Sequence, residues 1–159
     1  MGKEIERKFL VSGKIPSELE GILLQQGYIQ TQKERSVRIR TIESVNGING
    51  YLTIKGIGDK TGASRYEFEI EIPVPDAKHL LTLCDQPLIK KTRYNYPFGG
   101  FTWEIDKFHG VNSGLIVAEI ELESIDQKFE LPDFIGKEVT GDIKYYNLML
   151  LKNPFTTWK

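Results

Sequence analysis

A mainly β fold is predicted for this chain, an antiparallel barrel or sandwich of eight short strands with a few helices. Apolar and polar residues alternate with period two in eight runs, which is the pattern of half-buried strands. Short segments rich in glycine and asparagine separate neighbouring runs, and strands joined by short turns pair as antiparallel hairpins. The predicted strands lie near 3–11, 27–33, 35–43, 50–56, 65–73, 88–96, 101–108 and 115–123.

Three short helices are predicted beside the strands. They would run over 17–24, 76–84, and from 142 or 144 to 152. Ser17 and Asp76 are suitable N-cap residues for the first two helices, because their side-chain oxygens can accept hydrogen bonds from free backbone N–H groups. Pro154 stops the third helix, since proline cannot continue the helical hydrogen-bond ladder.

Length and composition are those of one soluble domain, which we expect to span residues 1–159. The formal net charge is −1, so no overall field would attract nucleic acid or an acidic membrane. The single cysteine, Cys84, lies in an apolar stretch and predicts a buried thiol in a reducing compartment. Because no long apolar run or signal-peptide core is present, the expected location is the cytoplasm.

The polar faces of the strands are sorted by the sign of their charge. Residues two apart share one face of a strand. Acidic pairs at this spacing are Glu4 and Glu6, Glu67 and Glu69, Glu104 and Asp106, and Glu119 and Glu121, and the basic residues are Arg38 and Arg40, Lys55, and Lys91 and Arg93. A solvated outer face explains any single run, but such faces mix charges because like charges side by side are destabilising. The sorting therefore favours a functional role.

These faces would carry the groups for phosphoryl transfer if they met in one cavity. Carboxylates of neighbouring strands could converge on a hard divalent cation such as Mg²⁺ or Mn²⁺, which prefer oxygen ligands. Arginine and lysine side chains could bind phosphate oxygens, arginine in a bidentate manner. A metal together with a cationic clamp is the equipment of phosphoryl-transfer enzymes. Spacing alone leaves open whether the sheet closes around this face.

A family resemblance joins these elements. The segment Glu4-Ile5-Glu6-Arg7-Lys8 is similar to the ExExK signature of the CYTH family, also called triphosphate tunnel metalloenzymes. Further segments follow in the family's order: Arg38-Ile39-Arg40, Leu52-Thr53-Ile54-Lys55, Glu67-Phe68-Glu69, Lys91-Thr92-Arg93-Tyr94, Trp103-Glu104-Ile105-Asp106, Ala118-Glu119-Ile120-Glu121 and Asp142-Ile143-Lys144-Tyr145. The resemblance implies a closed, eight-stranded antiparallel tunnel with a charged lumen and a few flanking helices.

The resemblance also implies roles for individual residues. The metal-side acids would be Glu4, Glu6, Glu119, Glu121 and Asp106, binding Mg²⁺ or Mn²⁺, with Glu67, Glu69 and Glu104 as supporting acids. Substrate phosphates would be bound by Lys8, Arg38, Arg40, Lys55, Lys91, Arg93 and Lys144. Many members carry arginine where this chain has Lys144. Lys8 and Tyr28 match two residues that are proposed to cooperate in catalysis in short bacterial members.

The activity implied by the resemblance is hydrolysis of the terminal phosphate of a small triphosphate such as tripolyphosphate or ATP. An inorganic tripolyphosphatase is the first expectation. A class IV-type adenylate cyclase, a thiamine triphosphatase, a non-catalytic binder of nucleotides or polyphosphate, and a purely structural barrel are the alternatives. No nucleic-acid or membrane partner is expected, whereas exposed apolar strand faces could support a homodimer.

Overall fold

Nine strands form one antiparallel sheet in the computed structural model, which describes residues 2–32, 35–61 and 63–158. The strands are β1 (Gly2–Val11), β2 (Ile22–Gln30), β3 (Arg35–Ser44), β4 (Gly47–Gly58), β5 (Ser64–Ile72), β6 (Ile89–Phe98), β7 (Phe101–Phe108), β8 (Ile116–Glu121) and β9 (Ile135–Glu138). The helices are α1 (Val74–Thr82) and α2 (Asn147–Lys152). Short 3₁₀ turns cover Gly110–Asn112, Ile143–Tyr145 and Phe155–Thr157.

Eight of these strands close into a barrel, in the order β1-β5-β4-β3-β2-β6-β7-β8 and back to β1. The first strand closes the ring because its two edges take different partners. Residues 6–10 pair with β8, whereas residues 2–5 pair with β5. Beyond β5, the ninth strand pairs with the end of β1 at Phe9 and Val11. The predicted closed antiparallel barrel is therefore confirmed.

The inner face of the barrel is apolar at one end, where α2 closes it. Ile89 and Val117 share the inner faces of their strands with Lys91 and Glu119, since they lie two residues away from them. They belong to one buried cluster with residues of α2, including Leu148. The lumen is therefore closed at one end by apolar side chains and lined by polar side chains elsewhere. The alternation of charge along the strands did not predict this apolar end.

The outer face is covered on two sides. Helix α1 packs over β2, β3 and β4, where Ala77 and Leu81 contact the buried Ile39. On the other side, Trp103 and Ile120 lie beneath Phe134 in a second apolar cluster. These contacts fix the pleat of the strands, so that the alternate residues point into the lumen.

The predicted helix over 17–24 is wrong. Strand β2 begins at Ile22, ahead of the predicted start at 27. Its first three residues are all buried or half-buried, so the run lacks the alternation that identifies a strand. The predicted end of this strand at 33 lies outside the described residues, and β2 itself ends at Gln30.

Two further elements differ from the prediction. Helix α1 begins at Val74, which places Asp76 in the first turn instead of at the cap. The short strand β9 was not predicted, since four residues give little periodicity. The third helix is confirmed over α2, which begins at Asn147 instead of at 142 or 144. A separate 3₁₀ turn precedes it, in which the Asp142 side chain accepts a hydrogen bond from the Lys144 N–H.

The thiol of Cys84 is buried, as predicted. Burial, reinforced by the charge of Asp85, raises its pKa to about 11, so the thiol stays protonated and inert at neutral pH. In the described part of the chain, no helix has the length and apolar character needed to cross a bilayer.

Gly50 allows α1 to lie close against β4. A Cβ atom at this position would be 2.6 Å from the Cβ of Ala77 and 3.1 Å from the carbonyl oxygen of Ile72. We therefore expect Gly50→Ala to displace the helix and to lower the free energy of unfolding by roughly 1–3 kcal/mol, measured by urea denaturation. The control is Gly56→Ala on the same strand, where the nearest atom would be 3.6 Å away. Equal losses at both positions would exclude the helix contact as the cause.

Candidate active site

The strands enclose a polar lumen with a volume of about 380 Å³. Most of the residues predicted for the site line it together: Glu4, Glu6, Lys8, Tyr28, Arg38, Arg40, Lys55, Glu67, Glu69, Lys91, Arg93, Glu104, Glu119 and Glu121. They come from all eight strands of the barrel and share one cavity because each lies on the inner face of its strand. The charges of both signs therefore face one another across an enclosed space.

Two predicted residues lie elsewhere. Asp106 is fully buried in the lumen wall, where Lys91 and Arg93 take up both of its carboxylate oxygens. Lys144 is exposed, with its Nζ 5.3 Å from the ring centre of Tyr145 and 5.0 Å from that of Trp158. The structure thus places Lys144 away from the lumen residues.

Arg38 and Arg40 on β3 are buried cations with unfilled bonding capacity. The Arg40 Nε donates to the Gln26 side chain at 2.9 Å, and Arg40 has no ion-pair partner among the described residues. Burial, together with the charges of Arg38 and Arg93, lowers the pKa of Arg40 to about 9, which leaves it charged at neutral pH. The Arg38 Nε is buried without a hydrogen-bond partner. A buried donor without a hydrogen-bond partner raises the free energy of the folded protein, so these guanidinium groups are suited to bind an anion.

Two further cations on β6 share a single buried carboxylate. The Lys91 Nζ and the Arg93 Nε each lie 2.7 Å from an oxygen of Asp106. Burial alone would raise the pKa of Asp106, but these two cations outweigh it and hold the pKa well below its usual range. Burial, together with the charges of Arg93 and Arg40, lowers the pKa of Lys91 to about 7 despite Asp106. The cluster is therefore short of negative charge, as a polyanion site should be.

The acidic side of the lumen is formed by β1 and β8, where Glu6 lies opposite Glu121 in the strand register. Burial raises the pKa of Glu6 well above its usual value, and the charge of Glu119 adds to the effect. For Glu119, burial is outweighed by the nearby Lys8 and by a hydrogen bond with Glu6, and its pKa is lowered. Of these two carboxyl groups, Glu6 therefore keeps its proton to the higher pH. Burial and the charge of Glu4 also raise the pKa of Glu121.

This donor set is compatible with a hard divalent cation, because it consists of crowded carboxyl oxygens. Among the described residues, no group of three or more acidic, histidine or cysteine side chains is already arranged around one point. Two of the carboxyl groups instead contact lysine side chains: Glu4 lies 3.1 Å from Lys55, and Glu119 lies 3.9 Å from Lys8. Mg²⁺ commonly uses a few carboxylates together with water and substrate phosphates, so a complete protein cage is not required.

Lys8 and Tyr28 line the same lumen but have different partners. The Lys8 Nζ donates to the Tyr145 carbonyl oxygen at 3.2 Å and lies 3.9 Å from Glu119. The buried Tyr28 hydroxyl accepts a hydrogen bond from the Gln26 side chain at 3.2 Å. Since Gln26 also accepts from Arg40, it links Tyr28 to the basic side of the lumen.

Sequence reasoning did not assign several residues of this site, among them Arg65, Gln26, Thr53 and Asn147. Arg65 lines the lumen, and its spacing of two from Glu67 could have identified it. Gln26 could likewise have been found two residues before Tyr28, and Thr53 two residues before Lys55. Asn147 accepts a hydrogen bond from Lys91 at 3.0 Å, but it begins α2 and no strand pattern points to it.

Comparisons with known proteins agree with this geometry. The CYTH domain profile matches residues 2–147. The inorganic triphosphatase of Acetivibrio thermocellus is 51% identical over 161 aligned positions that cover 100% of this chain and 99% of that protein. The inorganic triphosphatase of Nitrosomonas europaea is 37% identical, covering 92% and 95%. The crystal structure of the inorganic triphosphatase NE1496 superposes with a TM-score of 0.65 at 34% identity over 93% of each chain. The chain belongs to the CYTH domain family.

Proposed function

We propose that this protein is a divalent-metal-dependent triphosphatase that releases the terminal phosphate of inorganic tripolyphosphate. One observation carries the proposal: buried guanidinium groups with unfilled bonding capacity, Arg38 and Arg40, face crowded carboxyl groups across a closed lumen. A polyphosphate bound together with a divalent cation would provide partners for both the guanidinium groups and the carboxyl groups. The names of the two relatives, both inorganic triphosphatases, support tripolyphosphate as the first substrate to test.

Glu4, Glu6, Glu119 and Glu121 are the proposed ligands of Mg²⁺ or Mn²⁺. When bound, such an ion neutralises phosphate charge and lowers the pKa of a coordinated water. Asp106 is proposed to support the basic cluster instead, because its oxygens are occupied by Lys91 and Arg93. Glu67, Glu69 and Glu104 are likewise proposed to hold the basic residues, as the ion pairs of Lys55, Arg38 and Arg93 illustrate.

Arg38, Arg40, Lys55, Lys91 and Arg93 are proposed to bind the phosphate oxygens. Fixed cations in an enclosed site stabilise the charge that spreads over the transferred phosphoryl group. Lys8 and Tyr28 are the proposed catalytic residues. The Lys8 ammonium, oriented by the Tyr145 carbonyl, can contact the terminal phosphate, while the Tyr28 hydroxyl, held by Gln26, can orient the attacking water.

The test is release of orthophosphate from tripolyphosphate with Mg²⁺ or Mn²⁺, compared with ATP and thiamine triphosphate. We expect the highest kcat/KM for tripolyphosphate and none without a divalent metal. Formation of cyclic AMP from ATP would instead identify an adenylate cyclase, and tight binding without turnover would identify a non-catalytic binder. Absence of phosphate release from all three substrates under either metal would refute the proposal.

Metal affinity is expected to rise with pH because the proton held by the Glu6 carboxyl group must leave when a cation binds there. Because the pKa of Glu6 is raised, the rise in metal affinity should extend to a pH above the range in which carboxyl groups usually titrate. Each bound Mn²⁺ should release one proton below that pKa, so the affinity should increase about tenfold per pH unit there and level off above it. Calorimetry in buffers of different ionisation enthalpy measures the proton release, and Glu6→Gln should abolish it. Equal release by Glu6→Gln would assign the proton elsewhere.

A homodimer through the outer faces of β4 and β5 is a further proposal. These faces expose apolar side chains, among them Ile54, Tyr66 and Ile70. Light scattering coupled to size-exclusion chromatography gives the mass in solution. We expect a dimer that Ile70→Lys dissociates, and a monomeric wild-type protein would refute this assembly.

A further inference from the structure

A second cavity, here called the side pocket, adjoins the lumen and has a volume of about 180 Å³. Glu6, Lys8, Arg65 and Tyr146 line both the lumen and the side pocket. The rest of its wall consists of Ile57, Gly58, Asp59, Thr140 and Gly141. The two spaces therefore meet at a boundary that contains two cationic side chains, the carboxyl group of Glu6 and an aromatic ring.

Arg65 is the less constrained of these cations. Its Nε lies 3.8 Å from the Glu4 carboxylate, which is too long for a hydrogen bond. The structure gives its guanidinium no hydrogen bond to any described residue, and the Arg65 Cζ lies 5.8 Å from the centre of the Tyr146 ring. The guanidinium can therefore present its N–H donors to a ligand in the planar fork that suits phosphate.

Lys8 lies beside the same ring. Its Nζ is 5.6 Å from the centre of Tyr146, and its nearest carboxylate, that of Glu119, is 3.9 Å away. The Tyr145 carbonyl accepts only one of the three ammonium donors. Two cations with long ion pairs and unfilled donors thus flank one aromatic side chain, where an anion could contact both.

The size of the side pocket limits the ligand. At the volume that a water molecule occupies in the liquid, about 180 Å³ is equivalent to about six waters. This space is enough for one phosphate group and too small for a nucleoside. The chemistry of the boundary therefore selects a phosphate group without a bulky organic substituent.

We propose that Arg65 and Lys8 form an additional phosphate subsite at the boundary between the lumen and the side pocket. The proposal rests on the proposed triphosphatase function, since it extends the same chamber. The phosphate group has two sources of identical chemistry: orthophosphate released by hydrolysis, and the terminal phosphoryl group of a chain with more than three phosphates. The subsite would retain product in the first case and extend the range of substrates in the second.

Calorimetric titration with orthophosphate tests the subsite without requiring turnover. Replacing arginine by leucine removes charge-assisted hydrogen bonds, so Arg65→Leu should weaken orthophosphate binding about tenfold. Arg65→Lys, which keeps the charge and loses the fork, should give a smaller loss. Lys107→Leu removes an exposed positive charge on β7 and serves as the matched control, with unchanged affinity expected. Thermal unfolding checks each variant, and Arg65→Gln replaces Arg65→Leu if the leucine variant does not fold.

Hydrolysis of tetrapolyphosphate and tripolyphosphate distinguishes the two sources. If the subsite holds the end of a longer chain, the ratio of kcat/KM for tetrapolyphosphate to that for tripolyphosphate should fall about tenfold in Arg65→Leu. If it holds released orthophosphate, this ratio should stay constant while product inhibition weakens. Unchanged orthophosphate affinity together with an unchanged ratio in folded Arg65→Leu would overturn the proposal. If orthophosphate binds through Arg65 but no substrate is hydrolysed, the phosphate subsite is supported and the triphosphatase function is refuted.

Discussion

Arg40→Met is expected to lower kcat/KM for tripolyphosphate by about 10²- to 10³-fold, the usual effect of removing one preorganised donor from a developing anionic charge. The substitution should not destabilise the folded protein. Arg40 is buried with a side-chain amide as its hydrogen-bond partner and has no ion-pair partner among the described residues. An apolar side chain of similar length removes an uncompensated buried cation, so the free energy of unfolding should stay the same or rise.

The matched control for this experiment is Arg35→Met on the same strand. Arg35 is exposed and lies on the opposite face of β3, so this variant should keep full activity. Steady-state kinetics and urea denaturation of both variants provide the comparison. Full activity of Arg40→Met would show that Arg40 does not bind the substrate phosphates. A large loss of stability would show that its role is structural.

Asp106→Asn should have the largest effect on stability. The buried carboxylate pairs with both Lys91 and Arg93, and its removal leaves Lys91 without an ion-pair partner among the described residues and Arg93 with only the partly exposed Glu104. Loss of one partner from a buried ion pair costs about 3–5 kcal/mol, which should appear as a lower free energy of unfolding. Glu104→Gln is the control, because Glu104 also pairs with Arg93 but its side chain is 43% exposed, and we expect a loss below about 1 kcal/mol.

The pH dependence of this difference gives a second check. The folded-state pKa of Asp106 lies well below that of an unfolded aspartate, near 3.9. Its stabilising contribution is therefore complete above the unfolded value and is lost as the pH falls toward the folded value. The part of the difference between the wild-type protein and Asp106→Asn that comes from ionisation of Asp106 should be constant from neutral pH to about pH 4 and should shrink in stronger acid. Titration of Lys91, whose pKa is lowered to about 7, adds a further change near neutral pH. A difference that disappears near neutral pH would contradict the ion-pair account.

The inner face of the barrel was largely predictable because charge alternates along most of its strands. A period of two identifies a face without knowledge of the fold, and it placed residues such as Glu6, Arg40 and Glu119 together. It failed where both faces of a strand are covered. At the start of β2, Ile22 and Leu24 lie in such a run, and the apolar sequence was interpreted as a helix.

The remaining parts of the site depend on contacts between distant segments. Asn147 meets Lys91 only because α2 closes one end of the barrel. Lys144 follows the family's order in sequence, yet its side chain contacts the rings of Tyr145 and Trp158 instead of the lumen residues. Local patterns identify the faces of strands, whereas the direction of a side chain in a connecting segment depends on tertiary packing.

The position of β1 in the ring has a consequence for the order of folding. Its partners β5, β8 and β9 all lie far along the chain, whereas β2 to β5 and β6 to β8 pair with sequence neighbours. The two meanders can therefore form early from local contacts, while pairing β2 with β6, and then joining β1 to both meanders, must await slow, long-range searches. Glu4 and Glu6 reach Glu119 and Glu121 only in that last step. We therefore expect the proposed phosphate-binding residues of β3, β4 and β6 to be in place before the proposed metal ligands of β1 meet those of β8.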